Sequence, residues 1–93
     1  MMVMMSSEIQ IDKIKFMKER IIRLVRILAS PNKELVIDII ISKDIILNSI
    51  EVLDDDFRIN VWLDDMEFQY DSGQLNDQEM RIIISSLEAI LLN

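Results

Sequence analysis

Residues 56–71, Asp-Phe-Arg-Ile-Asn-Val-Trp-Leu-Asp-Asp-Met-Glu-Phe-Gln-Tyr-Asp, alternate apolar and polar side chains on either side of Asp64-Asp65. Alternation with period two, interrupted by two turn residues, is the pattern of a β-hairpin with one buried face. A two-residue turn sets the pairing: Leu63 with Met66, Val61 with Phe68 and Ile59 with Tyr70 on one face. The other face receives Trp62 beside Glu67, Asn60 beside Gln69, and the opposite charges Arg58 and Asp71.

The same rule carries upstream. Two-residue turns at Lys43-Asp44 and Asp54-Asp55 make strands of residues 34–42 and 45–53. They align Leu35, Ile37, Ile39 and Ile41 with Val52, Ile50, Asn48 and Ile46, and these with Phe57, Ile59, Val61 and Leu63. Asn48 is the one polar residue in that inward set. Slipping strands two and three by one residue would bury Ser49 and Glu51 instead, so the pattern favours the stated register.

Helices flank the sheet. Ile14, Met17, Ile21, Leu24, Val25 and Leu28 recur at the spacing of one helical face, with Ser7 and Gln10 placed as a capping box and Pro31 as the stop. A narrower stripe, Ile9, Phe16 and Ile27, lies opposite among Lys13, Arg20 and Arg23. Asn76, with Glu79 three positions on, caps a second helix over 77–92, whose stripe is Met80, Ile83, Ile84, Leu87, Ile90 and Leu91. The expected fold is α+β: one domain over 1–93, a four-stranded antiparallel meander with the N- and C-terminal helices on one face, and a flexible start at 1–7.

Residues 34–53 admit a second reading. Ile41-Ser42-Lys43-Asp44-Ile45-Ile46, followed by Ile50 and Leu53, resembles the turn and recognition helix of winged-helix proteins, with the 57–70 hairpin as the wing. That resemblance implies a DNA-binding transcription factor. Against it, the proposed recognition helix offers Asn48, Ser49, Glu51 and Asp54–Asp56 but no cation, and the run is rich in β-branched residues.

Composition narrows the chemistry. The chain has 93 residues, no Cys and no His, so disulfides and zinc ligation are ruled out and stability has to come from packing. A homodimer is one way to extend a small core. The apolar run Met1–Met5 is shorter than a signal-peptide core or a membrane span, which with the missing Cys points to the cytoplasm and away from membranes. The usual catalytic nucleophiles and bases have no motif here, and no cofactor or metal is called for. Asp54-Asp55-Asp56 lacks the alternating ligands, glycine and distant Glu of a calcium loop.

Charge is segregated. Residues 1–33 carry seven Lys/Arg against three Asp/Glu, and residues 34–93 carry three against fourteen. Asp54, Asp55 and Asp56 fall at one end of the meander, and Asp44, Asp64 and Asp65 at the other. Such acids steer a chain towards a basic partner and disfavour direct contact with nucleic acid, whose phosphates need cations. On the outer face the register sets Ile40, Leu47 and Trp62 side by side, rimmed by Glu67, with Asp38, Ser49, Asn60 and Gln69 next to them. A single Trp among aliphatics is an anchor composition for a protein partner. Ile9, Phe16 and Ile27 form a second candidate contact.

In size, acidity and missing catalytic inventory the chain is similar in profile to small inhibitors of phages and mobile elements, anti-restriction and anti-CRISPR proteins among them. That likeness implies a non-enzymatic protein that blocks a basic, nucleic-acid-binding surface of its target. A dimeric acidic chaperone or adaptor is the alternative within the binding class.

Overall fold

A computed structural model describes the backbone from Met2 to Asn93 and the side chains from Asp12 onward. Helix α1 spans Met2–Leu28. Strands β1 (Glu34–Ser42), β2 (Ile45–Leu53), β3 (Asp56–Leu63) and β4 (Met66–Asp71) follow. A short 3-10 turn at Ser72–Gln74 then leads to helix α2, Asp77–Leu92. The sheet is antiparallel in the order β1-β2-β3-β4. The α-β-β-β-β-α architecture is therefore the one the alternation pattern predicts, and the helix-turn-helix reading of 34–53 is overturned, since those residues form two strands. The expected start of α1 at a Ser7–Gln10 cap is corrected, since the helix is continuous from Met2 and Ser7 lies inside it; the side chains of the expected flexible segment 1–7 and of Ile9 lie outside the described residues.

The 57–70 hairpin pairs as read, from Leu63↔Met66 through Arg58↔Asp71. Asp64 and Asp65 both have positive φ, 50° and 67°. Positive φ at both central residues is the conformation of the tight hairpin turn whose twist matches the flanking strands. Asn76 caps α2 reciprocally: its side chain accepts from the Glu79 amide at 2.8 Å, and its own amide donates to Glu79 Oε1 at 2.9 Å.

Upstream the register departs from expectation. From Leu53↔Asp56 to Ser49↔Asn60, β2 and β3 pair as read, but Leu47 then faces Val61 and Ile46 faces Trp62. Asn48 is the extra residue of a β-bulge. The regular register would carry its amide inward between Ile39 and Val61, at about 1–3 kcal/mol for a polar group without partners, and would expose Leu47. The bulge reverses this: Leu47 is fully buried and Asn48 half-exposed. On the other side, β1 pairs as expected at Ser42↔Ile45 and then slips twice, once at Ile41 and again where Ile37 and Asp38 oppose Asn48. Val36 takes the place expected for Asp38 opposite Ser49.

Both helices pack on the inner face over β1 to β3. Met17, Ile21, Leu24 and Val25 of α1, joined by Ile22, meet Met80, Ile83, Ile84 and Leu87 of α2 above Leu47, Ile50, Val52, Phe57, Ile59 and Val61. Each such side chain contributes about 1.5–3 kcal/mol when fully buried. Three residues expected in the helical stripes, Ile14, Ile90 and Leu91, are exposed instead. Ile90 and Leu91 lie in the last turn of α2, and Ile14 lies one turn before Met17, the first buried residue of α1 among the described residues.

Candidate protein-binding interface

The outer sheet face follows from the pleat and the bulge. Pairing across all four strands runs Ile40↔Ile46↔Trp62↔Glu67. Ile40 is 71% exposed, Ile46 41% and Trp62 37%. The sequence reading of Leu47 as the middle member of this row is corrected: the residue is in the core, and Ile46 stands where it was expected. Ile40, Trp62 and Glu67 are placed as expected.

Next to this row runs Val36↔Ser49↔Asn60↔Gln69. Asn60 Nδ2 donates to Ser49 Oγ at 2.8 Å, tying β3 to β2 on this side. Val36 is exposed and adds a fourth apolar side chain on β1. Beyond it comes a charged row, Glu34↔Glu51↔Arg58↔Asp71, in which Arg58 separates carboxylates on two sides.

The two acidic ends are unlike. At the β2–β3 end, the Asp56 carboxylate pairs with the Lys18 ammonium, and the Asp54 carbonyl accepts from the Arg26 guanidinium at 2.6 Å. Asp55 and Asp56 line an open cleft of about 960 Å³ with Lys15, Lys18, Arg23 and Arg26 of α1. Two further pairs join α1 to α2: Lys13 with Asp77 at 3.6 Å, and Arg20 with Glu88. Three acids of the acidic part of the chain, Asp56, Asp77 and Glu88, are thus matched by cations of α1 within the fold. Each of these partly exposed pairs stabilises by less than about 1 kcal/mol, but together they orient α1 against the turn and α2.

At the opposite end, roughly 25 Å away along the strands, Asp44, Asp64, Asp65 and Glu67 form no ion pair among the described residues. This end lies one residue pair from the Ile40–Ile46–Trp62 row, since Ser42↔Ile45 and Leu63↔Met66 close the two turns. Apolar anchors and uncompensated carboxylates therefore sit together.

The second candidate contact does not form one patch. Phe16 and Ile27 are both exposed on α1, about 16 Å apart along its axis. Phe16 lines a groove with Met17, Arg20, Ile84 and Ser85, whereas Ile27 lines the cleft at the β2–β3 turn.

Ile46 and Val36 are the members of the outer face that sequence reasoning missed. The available signal was Asn48, the single polar residue in an otherwise apolar inward set. Among the described residues, no group of three acidic, His or Cys side chains is arranged to hold a metal, and no helix is long and apolar enough to cross a membrane. Comparison with family models, curated proteins and solved structures found no match to this chain.

Proposed function

We propose that this chain is a small non-enzymatic binding protein that occupies a basic, nucleic-acid-binding surface of another protein, as an inhibitor would. The observation that carries the reading is the apolar row Ile40–Ile46–Trp62 on the face opposite the helices, ending in Glu67 and within one residue pair of Asp44, Asp64 and Asp65, which form no ion pair among the described residues. Four carboxylates against Lys43 give that end a negative field. Such a field accelerates encounter with a cationic groove, while a Trp flanked by aliphatics supplies the desolvated centre that holds the complex. The turn chemistry supports the same reading. Asp64 and Asp65 occupy positive-φ positions that Asn and Gly fill at lower cost, so this hairpin carries charge at some expense of stability.

The β2–β3 acids have a smaller part in this reading than their sequence run suggested, because Lys18 and Arg26 already engage that turn. Steering is assigned to the Asp44, Asp64, Asp65 and Glu67 end, and holding to Ile40, Ile46 and Trp62.

The test is capture from the native host with the wild-type chain and two variants, followed by competition. Ile46→Ala with Trp62→Ala should abolish retention of the partner. Asp44→Asn, Asp64→Asn and Asp65→Asn together should slow association on the order of ten-fold at low salt and leave it unchanged at high salt. The captured protein should bind duplex DNA or RNA alone and lose it when the chain is added. Retention that is indifferent to Ile46 and Trp62, or a captured protein that keeps its nucleic acid, would sink the proposal.

A further inference from the structure

The two edges of the sheet are unequal. β1 is the longer edge, but it is irregular, with register shifts between Val36 and Ile39 and between Ile40 and Ser42. Bulges of this kind twist an edge away from incoming strands. β4 has none: its six residues pair with β3 without a shift. Its inward-pointing residues also extend past the helices, which pack over β1 to β3. Met66 is 61% exposed and Phe68 38%, although both point to the same side as the core residue Val61.

We infer that β4 is a self-association edge: two copies pair β4 with β4 antiparallel about a two-fold axis at Phe68, joining two four-stranded sheets into one of eight. A second copy of this chain is the occupant that fits, and charge selects the register. A two-fold axis normal to the sheet requires directly opposite residues to share a face, so the axis passes through a residue. Centring on Glu67 places it on itself. Centring on Gln69 sets Glu67 against the second copy's Asp71. Centring on Phe68 sets Glu67 against the second copy's Gln69 on the outer face. On the inner face it sets Phe68 against Phe68 and Met66 against Tyr70, which covers the apolar side chains the helices leave open. Asp65 and Asp71 then fall opposite one another only at the fraying ends, in water.

The backbone is in phase with this register. In a two-residue hairpin with positive φ at Asp64 and Asp65, Leu63 and Met66 exchange hydrogen bonds. Main-chain groups of Met66, Phe68 and Tyr70 therefore point towards β3, and those of Glu67 and Gln69 point out. Pairing Glu67 with the second copy's Gln69 satisfies these outward groups reciprocally. It leaves Phe68 at the close, non-hydrogen-bonded position, where facing side chains approach most.

This inference shares Glu67 with the partner reading, which otherwise uses the outer face of β1 to β3 and the acidic turns, and its test separates the two. Sedimentation equilibrium of the full chain should give a dimer. Gln69→Lys, which places a cation opposite Glu67 twice per dimer, should tighten it on the order of five-fold, and Gln69→Glu should weaken it by a similar factor. Phe68→Glu should give a monomer with an unchanged far-ultraviolet circular dichroism spectrum; if that variant does not fold, the two Gln69 variants decide. Because the chain has no cysteine, Phe68→Cys should form a covalent dimer under mild oxidation, whereas Gln69→Cys should not. Trp62→Ala should remain dimeric. A wild-type chain that is monomeric up to about 100 µM, a dimer indifferent to charge at position 69, or a dimer lost with Trp62→Ala would each overturn the proposal.

Discussion

Replacing Leu47 by Ala tests the bulge that distinguishes this sheet from a regular meander. Leu47 is fully buried on a central strand, opposite Val61 and beneath the helices. Truncating a buried Leu costs about 2.7–5 kcal/mol, depending on how far the site collapses. About 3 kcal/mol is expected for a position flanked by strands on both sides. A domain of this length has about 5–14 kcal/mol of stability in total. With a urea dependence of about 1.5 kcal/mol/M, the unfolding midpoint should fall by about 2 M with the slope unchanged. Ile46→Ala is the control. Ile46 is 41% exposed, so truncation removes about 40 Å² of buried apolar surface and costs about 1 kcal/mol. Asn48→Val completes the set: in a regular register it would fill the core and stabilise strongly, whereas beside a bulge it should change stability by less than about 0.5 kcal/mol. Urea melts followed by circular dichroism read all three. If Ile46→Ala costs as much as Leu47→Ala, or Asn48→Val stabilises by several kcal/mol, the reasoning from the bulge is refuted.

Two further outcomes follow from the turns and the ion pairs. Asp64→Asn with Asp65→Gly should raise stability by about 1 kcal/mol in thermal melts, because both positions have positive φ and the change suits the turn type and separates adjacent charges; a loss of stability would show that the carboxylates make contacts the strain argument omits. Lys18→Gln with Arg26→Gln should cost less than about 1 kcal/mol in total at low salt, with most of the Lys18–Asp56 share gone at high salt, since that pair is partly exposed. A large, salt-independent loss would mean that these side chains hold α1 through packing of their stems.

Much of the fold was legible in the residues. The 57–70 hairpin is an unbroken alternation across two turn residues, so one register alone puts every large apolar side chain except Trp62 on one side. The α2 cap is equally local: Asn76 and Glu79 need only each other's backbone. β1 and β2 were legible as strands, but not in their pairing, because a bulge costs one local irregularity and repays it through distant neighbours. Asn48 signalled a conflict in the sequence; its resolution depended on whether the space between Ile39 and Val61 could be filled by Leu47. The candidate interface inherits that outcome, with Ile40, Trp62 and Glu67 read correctly and Ile46 in the place given to Leu47.

By itself, the sequence determined the 57–70 hairpin, the second helix and the absence of thiol or imidazole chemistry, because these depend on periodicity, turn residues and inventory; that 34–53 are strands was favoured by its β-branched residues and decided by the structure. Only the tertiary structure decided which acids are free. Lys18, Lys13 and Arg20 lie far in sequence from Asp56, Asp77 and Glu88, and packing α1 against the β2–β3 turn and α2 brings each pair together. A charge split that looked like a surface for partners became, at Asp56, Asp77 and Glu88, an internal match. It left an uncompensated set beside Trp62, because Coulomb interactions follow distance in space and are silent about distance along the chain.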